Sequence, residues 1–205
     1  MKSQGEWYSN LIPNDRVITG LSTRYSSLAA ITSAPDYPII EMEQIHSNRI
    51  AMVDHPAMTY IPHADALITT LPNVYLAVRT ADCLPILISH PEKNVIAAIH
   101  AGRRSTKGQI TQSLFQQLQS QFALSNDFVV WFGPAVCESC YQIDIEKNIH
   151  FDLVAENTTQ IRRNTSNTTI IESDICTACQ HDEFYSYRKG DREKRIYSVI
   201  ALRDE

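Results

Sequence analysis

Four short apolar runs follow one another closely along the middle of the chain: ALIT (66–69), VYLAV (74–78), LPILI (84–88) and VIAAI (95–99). Each is bounded by turn formers or polar residues and is rich in Val, Ile, Leu and Ala. Runs of this length and flanking fit buried strands. DFVVWFGPAV (127–136) and RIYSVIAL (195–202) read the same way. Between them, TKGQITQSLFQQLQSQF (106–122) repeats Ile110, Leu114, Leu118 and Phe122 every fourth residue, one apolar stripe on a helix. IEKNIHFDLVAEN (145–157) is predicted helical, with Ile145, Ile149 and Leu153 inward. The polar stretch NTTQIRRNTSNTT after it carries N-x-[ST] triplets at Asn157, Asn164 and Asn167, and reads as a loop. Residues 1–38 read as irregular, with turns at Pro13-Asn14-Asp15 and Pro35-Asp36. Strands and helices mix without strict βαβ alternation. The expected fold class is α+β with a mixed sheet, in one domain over residues 1–205.

Composition narrows the function. The chain holds six glycines in 205 residues, against about 7% in ordinary proteins. Neither G-x-G-x-x-G nor G-x-x-x-x-G-K-[ST] occurs, so the common glycine-loop nucleotide sites are excluded. Eighteen Lys+Arg against 23 Asp+Glu leave a net charge of −5. Polymeric nucleic acid and anionic membrane are therefore not expected partners. The start, MKSQGEWYSNLIPND, has no apolar signal-peptide core, and no run is long enough for a membrane helix. Five cysteines, an odd number, then suggest reduced thiols and a cytoplasmic protein.

Reactive residues sit at the ends of apolar runs. Cys83 follows VYLAVRTAD, and His100 ends VIAAIH. A strand, a turn and a neighbouring strand between them would let the two meet. His46, in EMEQIHSNRI, is a third candidate. Such residues often simply pack in a core. Two chemical readings compete with that one. His46, Cys83 and His100 form a soft ligand set that leaves zinc a fourth position. Alternatively, Cys83 is a nucleophile with His100 as its base. Spacing does not choose. Asp82 reads equally as an acid/base or ligand-orienting residue and as a turn residue at the strand end. Cys137/Cys140 and Cys176/Cys179 are two C-x-x-C pairs with 35 residues between them. Ribbon-type zinc sites use about 15–20, so unliganded thiols are the expectation. HAGRRST places Arg103 and Arg104 at a helix start near Ser105 or Thr106, a place suited to an oxyanion. RKGDREKR (188–195) interleaves acid with base and reads as a solvated face.

The segments GLSTR (20–24), QIHSNRI (44–50), ADALITT (64–70), AVRTADCLPILI (77–88), AAIHAGRRST (97–106), FGPAVCESCYQID (132–144) and CTACQHDEFYSYRKG (176–190) together resemble the YfiH family. That family is also called laccase-domain or multicopper polyphenol oxidoreductase-like. The resemblance implies mixed sheets with helices outside, in α/β/β/α layers. It implies one zinc per chain on His46, Cys83 and His100, with copper disfavoured. It implies a small-molecule purine nucleoside and phosphate as substrates: phosphorolysis of adenosine, inosine and methylthioadenosine, with adenosine deamination. Arg24 and Arg104 match the family's active-site arginines. True multicopper oxidation fits poorly, since the seven histidines include no H-x-H pair. A zinc that lowers the pKa of water would serve attack at purine C6.

The chain departs from the family pattern near the pocket. Tyr25-Ser26-Ser27-Leu28 stands where a Gly-Gly-Val-Ser segment is usual. Ser47 and Ser105 replace glycines, and Arg103 replaces a tryptophan. Each serine adds a hydroxyl where a ligand would approach. Two alternatives follow: a Cys–His hydrolase or amidase using Cys83, and a non-catalytic member that keeps the metal. The sequence leaves the oligomeric state open, and a monomer is consistent with it.

Overall fold

A computed structural model describes residues 2–3, 7–32, 34, 36–122 and 127–204. Its strands are β1 (Lys2–Ser3), β2 (Trp7–Ser9), β3 (Val17–Ser22), β4 (Ile39–Met42), β5 (Ile50–Val53), β6 (Tyr60–Ile61), β7 (Ala66–Thr69), β8 (Tyr75–Thr80), β9 (Leu84–Ser89), β10 (Ile96–Ala101), β11 (Val129–Phe132), β12 (Gln142–Asp144), β13 (Ile149–His150), β14 (Thr169–Glu172) and β15 (Ile196–Leu202). The helices are α1 (Leu28–Ile31), α2 (Arg103–Lys107), α3 (Ile110–Phe122) and α4 (Leu153–Asn164). No described helix is long and apolar enough to cross a membrane.

The strands form two mixed sheets, ordered β1-β2-β3-β15-β8-β4-β6 and β14-β11-β9-β10-β7-β5, plus the β12-β13 hairpin. The sheets pack face to face. Leu76 and Val78 of β8 and Ile200 of β15 meet Leu67, Leu87, Ala98 and Trp131 of the other sheet. The outer face of the six-stranded sheet is covered by α3 and α4, with Ile86, Ile88, Ala97 and Ile99 against Leu114, Phe115, Leu118, Leu153 and Ile161. The outer face of the other sheet is covered by the single turn of α1, through Ile31 against Tyr75, Ala77 and Val199. This is the expected α/β/β/α layering. It explains why the central runs are apolar without alternation, because both faces of those strands are buried. Side chains still alternate in direction. In β10, Ile96 and Ala98 face the other sheet, while Ala97 and Ile99 face the helices.

Three local expectations need correction. Residues 1–38 are not irregular: β3 pairs with both β2 and β15 inside the larger sheet. Its sequence, VITGLS, lacks a continuous apolar run, and Gly20 is needed there. A Cβ at Gly20 would meet the carbonyl oxygen of Ile31 at 2.5 Å, so glycine lets α1 lie on the strand. The turn expected at Pro35-Asp36 falls on Pro35, outside the described residues. The helix expected at 145–157 starts at Leu153, capped by the Asp152 side chain, which accepts from the Ala155 N–H at 2.9 Å. Ile145 is 82% and Ile149 43% exposed, and Ile149 lies in β13 instead. The helix then continues into the polar stretch that read as a loop, ending at Asn164. Asn157 is fully buried in it, donating to Thr106 Oγ1 and accepting from Thr111 Oγ1. Finally, the 106–122 helix is two helices, broken at Gly108 and Gln109, where Gln109 takes φ 61°.

Candidate metal centre and cleft

The site lies where the chain crosses from one sheet to the other. Residues 43–49, carrying His46, connect β4 to β5 across the sheets. Residues 81–83, ending in Cys83, connect β8 to β9 in the same way. His100 stands near the end of β10. The antiparallel register pairs His100 with Pro85 and Ala101 with Leu84, so Cys83 and His100 become neighbours. Two of the turn residues hold a left-handed backbone, His46 at φ 61° and Asp82 at φ 87°. Such conformations are uncommon outside glycine and concentrate at functional sites.

The ligand atoms of His46, Cys83 and His100 all lie within 4.8 Å of one another. Cys83 Sγ is 3.7 Å from His46 Nε2. The two imidazoles meet edge to face, with ring centroids 4.7 Å apart. Behind them stands Asp65, which the residue-by-residue reading missed. It is fully buried and gathers five contacts. Its carboxylate accepts from the N–H groups of Ile45, His46 and Ser47, from Ser47 Oγ, and from His100 Nδ1 at 2.8 Å. A carboxylate only accepts, so Nδ1 carries a proton and Nε2 of His100 is left for a ligand. The signal available in the sequence was its place at the head of the buried run Asp65-Ala66-Leu67-Ile68-Thr69, where an ionisable residue needs a partner.

The electrostatics follow from this packing. Burial alone would raise the Cys83 thiol, but the positive His100 and hydrogen bonds from both histidines outweigh it and pull it down to about 6. Burial would lower His100, but the Cys83 thiolate and Asp65 lift it to about 9. Each group thus favours the charged form of the other, thiolate against imidazolium. Asp65 is held below the usual carboxylate range: burial opposes this, and its bonds to His100 and Ser47 overcome it.

These residues fit a metal ion. Two imidazoles and a thiolate are a soft N/S donor set, suited to zinc and short of its usual four ligands by one. Gly102 keeps the space open. A Cβ there would lie 2.8 Å from His46 Cδ2 and 3.0 Å from Cys83 Sγ.

The three residues lie in a cleft of about 1080 Å³. Five arginines line it: Arg79, Arg103, Arg188, Arg192 and Arg195, against Asp82 and Glu193. The cleft is thus cationic in a chain of net charge −5. The segment 188–195 is not simply a solvated face. Its acidic Asp191 turns away, accepting from Arg24 Nη2 at 2.9 Å and His181 Nε2 at 2.8 Å. Arg188, Arg192 and Arg195 are left facing the cleft. Two tyrosines stand with them: the Arg188 guanidinium lies 4.7 Å from the Tyr141 ring centre, and that of Arg192 4.1 Å from Tyr187.

The other expected residues distribute differently. Of the two arginines in HAGRRST, Arg103 lines the cleft, whereas Arg104 is exposed and is not among the lining residues. The helix that starts there, α2, has only five residues, so its dipole contributes little. Arg24 is outside the lining as well, clamped between Asp191 and the Tyr185 ring. Asp82 lines the cleft, but both its carboxylate oxygens are engaged, with Thr177 Oγ1 and with the Arg188 N–H, each at 2.8 Å. The serines that replace family glycines also face inward. Ser47 Oγ donates to Asp65, and Ser105 Oγ accepts from the Gly102 N–H. Their hydroxyls serve the scaffold, not the ligand.

The four remaining cysteines, expected as unliganded thiols, come together. The sulfurs of Cys137, Cys140, Cys176 and Cys179 lie within 4.8 Å of one another.

Comparison with known proteins agrees with this architecture. A family model described as multi-copper polyphenol oxidoreductase laccase matches residues 19–148 and 144–203. A purine nucleoside phosphorylase of Haemophilus influenzae is 28% identical over 204 residues, covering 89% of this chain and 81% of the relative. An adenosine deaminase from an unidentified prokaryote is 26% identical over 194 residues, covering 79% and 74%. The crystal structure of YlmD from Geobacillus stearothermophilus superposes with a TM-score of 0.90 at 22% identity, covering 100% of this chain and 98% of that one. With the fold, the crossing loops and the matched segments in agreement, the chain belongs to the multi-copper polyphenol oxidoreductase laccase family, the YfiH family.

Proposed function

We propose that this protein is a zinc-dependent purine nucleoside phosphorylase that also deaminates adenosine. One observation carries the reading: a single cleft joins the three-ligand centre of His46, Cys83 and His100 to five arginines. An anionic co-substrate and a group needing Lewis-acid help are thereby served side by side. The names of the two relatives point to the same chemistry. Zinc, when bound, supplies Lewis acidity and lowers the pKa of water.

The chain's own residues do the rest. Arg103 and the arginines of 188–195 bind phosphate by charge-assisted hydrogen bonds. The faces of Tyr141 and Tyr187 offer stacking surface for a purine. Phosphate oxygen attacks C1′ of the sugar as the bond from C1′ to the base nitrogen breaks; the base leaves with that electron pair and takes a proton. Arg24, carried over from the family pattern, acts through Asp191 in the segment that presents the cleft arginines; Arg104, exposed and outside the cleft, is given no role in this reading. Asp82 orients the segments at 177 and 188 and so positions the cleft wall.

The test is incubation of zinc-loaded protein with adenosine and phosphate, followed by chromatography. Adenine with ribose 1-phosphate, and inosine from the deamination, are expected. Absence of product with adenosine, inosine and methylthioadenosine alike would overturn the proposal. The thiolate–imidazolium pairing of Cys83 with His100 supports a second reading, a Cys–His hydrolase. A zinc-free protein that is active and is inactivated by alkylation of Cys83 is the outcome that favours it.

A further inference from the structure

We propose that Cys137, Cys140, Cys176 and Cys179 bind a second zinc ion in a closed tetrathiolate site that holds one wall of the cleft. The 35 residues between the pairs exceed the length of a zinc ribbon, but they have another origin. β11 and β14 are parallel neighbours, with Val129 opposite Thr169 and Phe132 opposite Glu172. A parallel pair requires a long crossover, and α4 lies in it. Each C-x-x-C pair follows one of the two strands at the same end. The ladder continues past the strands through a bridge between Ala135 and Cys176. The two pairs are therefore placed side by side by backbone pairing, independently of any metal.

The local geometry suits zinc. Each pair sits on a tight turn, with the Cys140 N–H donating to the Cys137 carbonyl and the Gln180 N–H to the Cys176 carbonyl. Cys140 Sγ and Cys179 Sγ are 3.6 Å apart, and all four sulfurs lie within 4.8 Å. A tetrahedron with Zn–S bonds of about 2.3 Å has sulfur–sulfur edges of about 3.8 Å. Small rotations of the side chains close the set onto an ion. The Cys137 N–H already points at Cys176 Sγ, 3.3 Å away, a contact that stabilises thiolate charge. Four protein ligands leave no position for water or substrate, so the site is structural.

What it would hold is the wall of the cleft. Tyr141, next to Cys140, lines the cleft. Val136, before Cys137, donates its N–H to the Asp82 carbonyl, and Thr177, after Cys176, donates its hydroxyl to the Asp82 carboxylate. Both halves of the cysteine cluster thus grip the turn that presents Cys83.

Zinc analysis of the reduced, zinc-replete full chain tests this, with X-ray absorption at the zinc edge. Two zinc ions per chain are expected. His46→Ala, which leaves all four cysteines untouched, should retain one zinc, coordinated by four sulfurs at about 2.3 Å. Stripping that ion with a chelator should lower the thermal midpoint, and stoichiometric zinc should restore it. Cys140→Ser with Cys179→Ser should remove one zinc, provided the variant folds. A His46→Ala protein without zinc, or with nitrogen and oxygen as the main ligands, overturns the proposal. So does a thermal midpoint unmoved by stripping and reloading, or a Cys140–Cys179 disulfide in the zinc-replete protein.

Discussion

Asp65 accepts from five donors and has no access to solvent, so its charge is fixed by the groups it positions. Asp65→Asn would place an amide against His100 Nδ1, weaken its hold and free the opposite tautomer. Carboxylates that orient a ligating histidine commonly account for 10–100-fold in affinity. Zinc affinity at the His46–Cys83–His100 centre should fall by about that factor, read by competition with a chromophoric chelator. Equal affinity would mean that Asp65 serves only the fold. Gly102→Ala addresses the other side. Its backbone, at φ −83°, accepts alanine without strain, so the cost is confined to the added methyl group. That methyl would press His46 and Cys83 apart. Reduced zinc binding with an unchanged circular-dichroism spectrum is the expected result. The candidate ligands were legible in the sequence: Cys83 and His100 stand beside apolar runs, and His46 lies in the matched segment QIHSNRI. Asp65 was not, since five contacts from residues 45–47 and 100 gave no local pattern.

At the level of elements, the polar helix α4 shows what the apolar periodicity hides. Asn157 and Gln160 face α2 and α3, where Asn157 bonds Thr106 and Thr111 and Gln160 donates to the Thr106 carbonyl. A helix docked partly through buried amides carries a weak apolar stripe, which is why it read as a loop. Asn157→Ala would strand two buried hydroxyls. A loss of about 1–3 kcal/mol in urea unfolding is expected, and an unchanged midpoint would show that the hydroxyls find other partners. The reverse error, a helix at 145–150, came from apolar residues at helical spacing that the structure leaves exposed in a hairpin. The strands were easier. Those buried on both faces, β7 to β10, stand in the sequence as unbroken apolar runs. β3 did not, because its glycine and threonine answer to α1 and to the loop at Leu11, whose N–H donates to Thr19 Oγ1.

For the whole molecule, the cleft joins arginines from segments far apart in sequence: Arg79 in β8, Arg103 after β10, and three from 188–195. Arg103→Ala and Arg188→Ala should each raise KM for phosphate by about 10–100-fold, the range of a hydrogen bond to a charged group. The effect should shrink at high salt. Arg104→Ala, outside the cleft, should leave KM near its original value; a large rise would return that arginine to the phosphate site. Sequence alone determined the α+β class and the three metal-site candidates, which rest on local properties: the length of apolar runs, and the chemistry of the residues near their ends. The layering of the sheets followed only from the resemblance of the matched segments. Which arginines face the cleft, which carboxylate orients His100, and that four cysteines meet were decided by tertiary structure. Strand register and the parallel crossover bring these groups together across tens of residues, and neither leaves a mark in the spacing of the residues it joins.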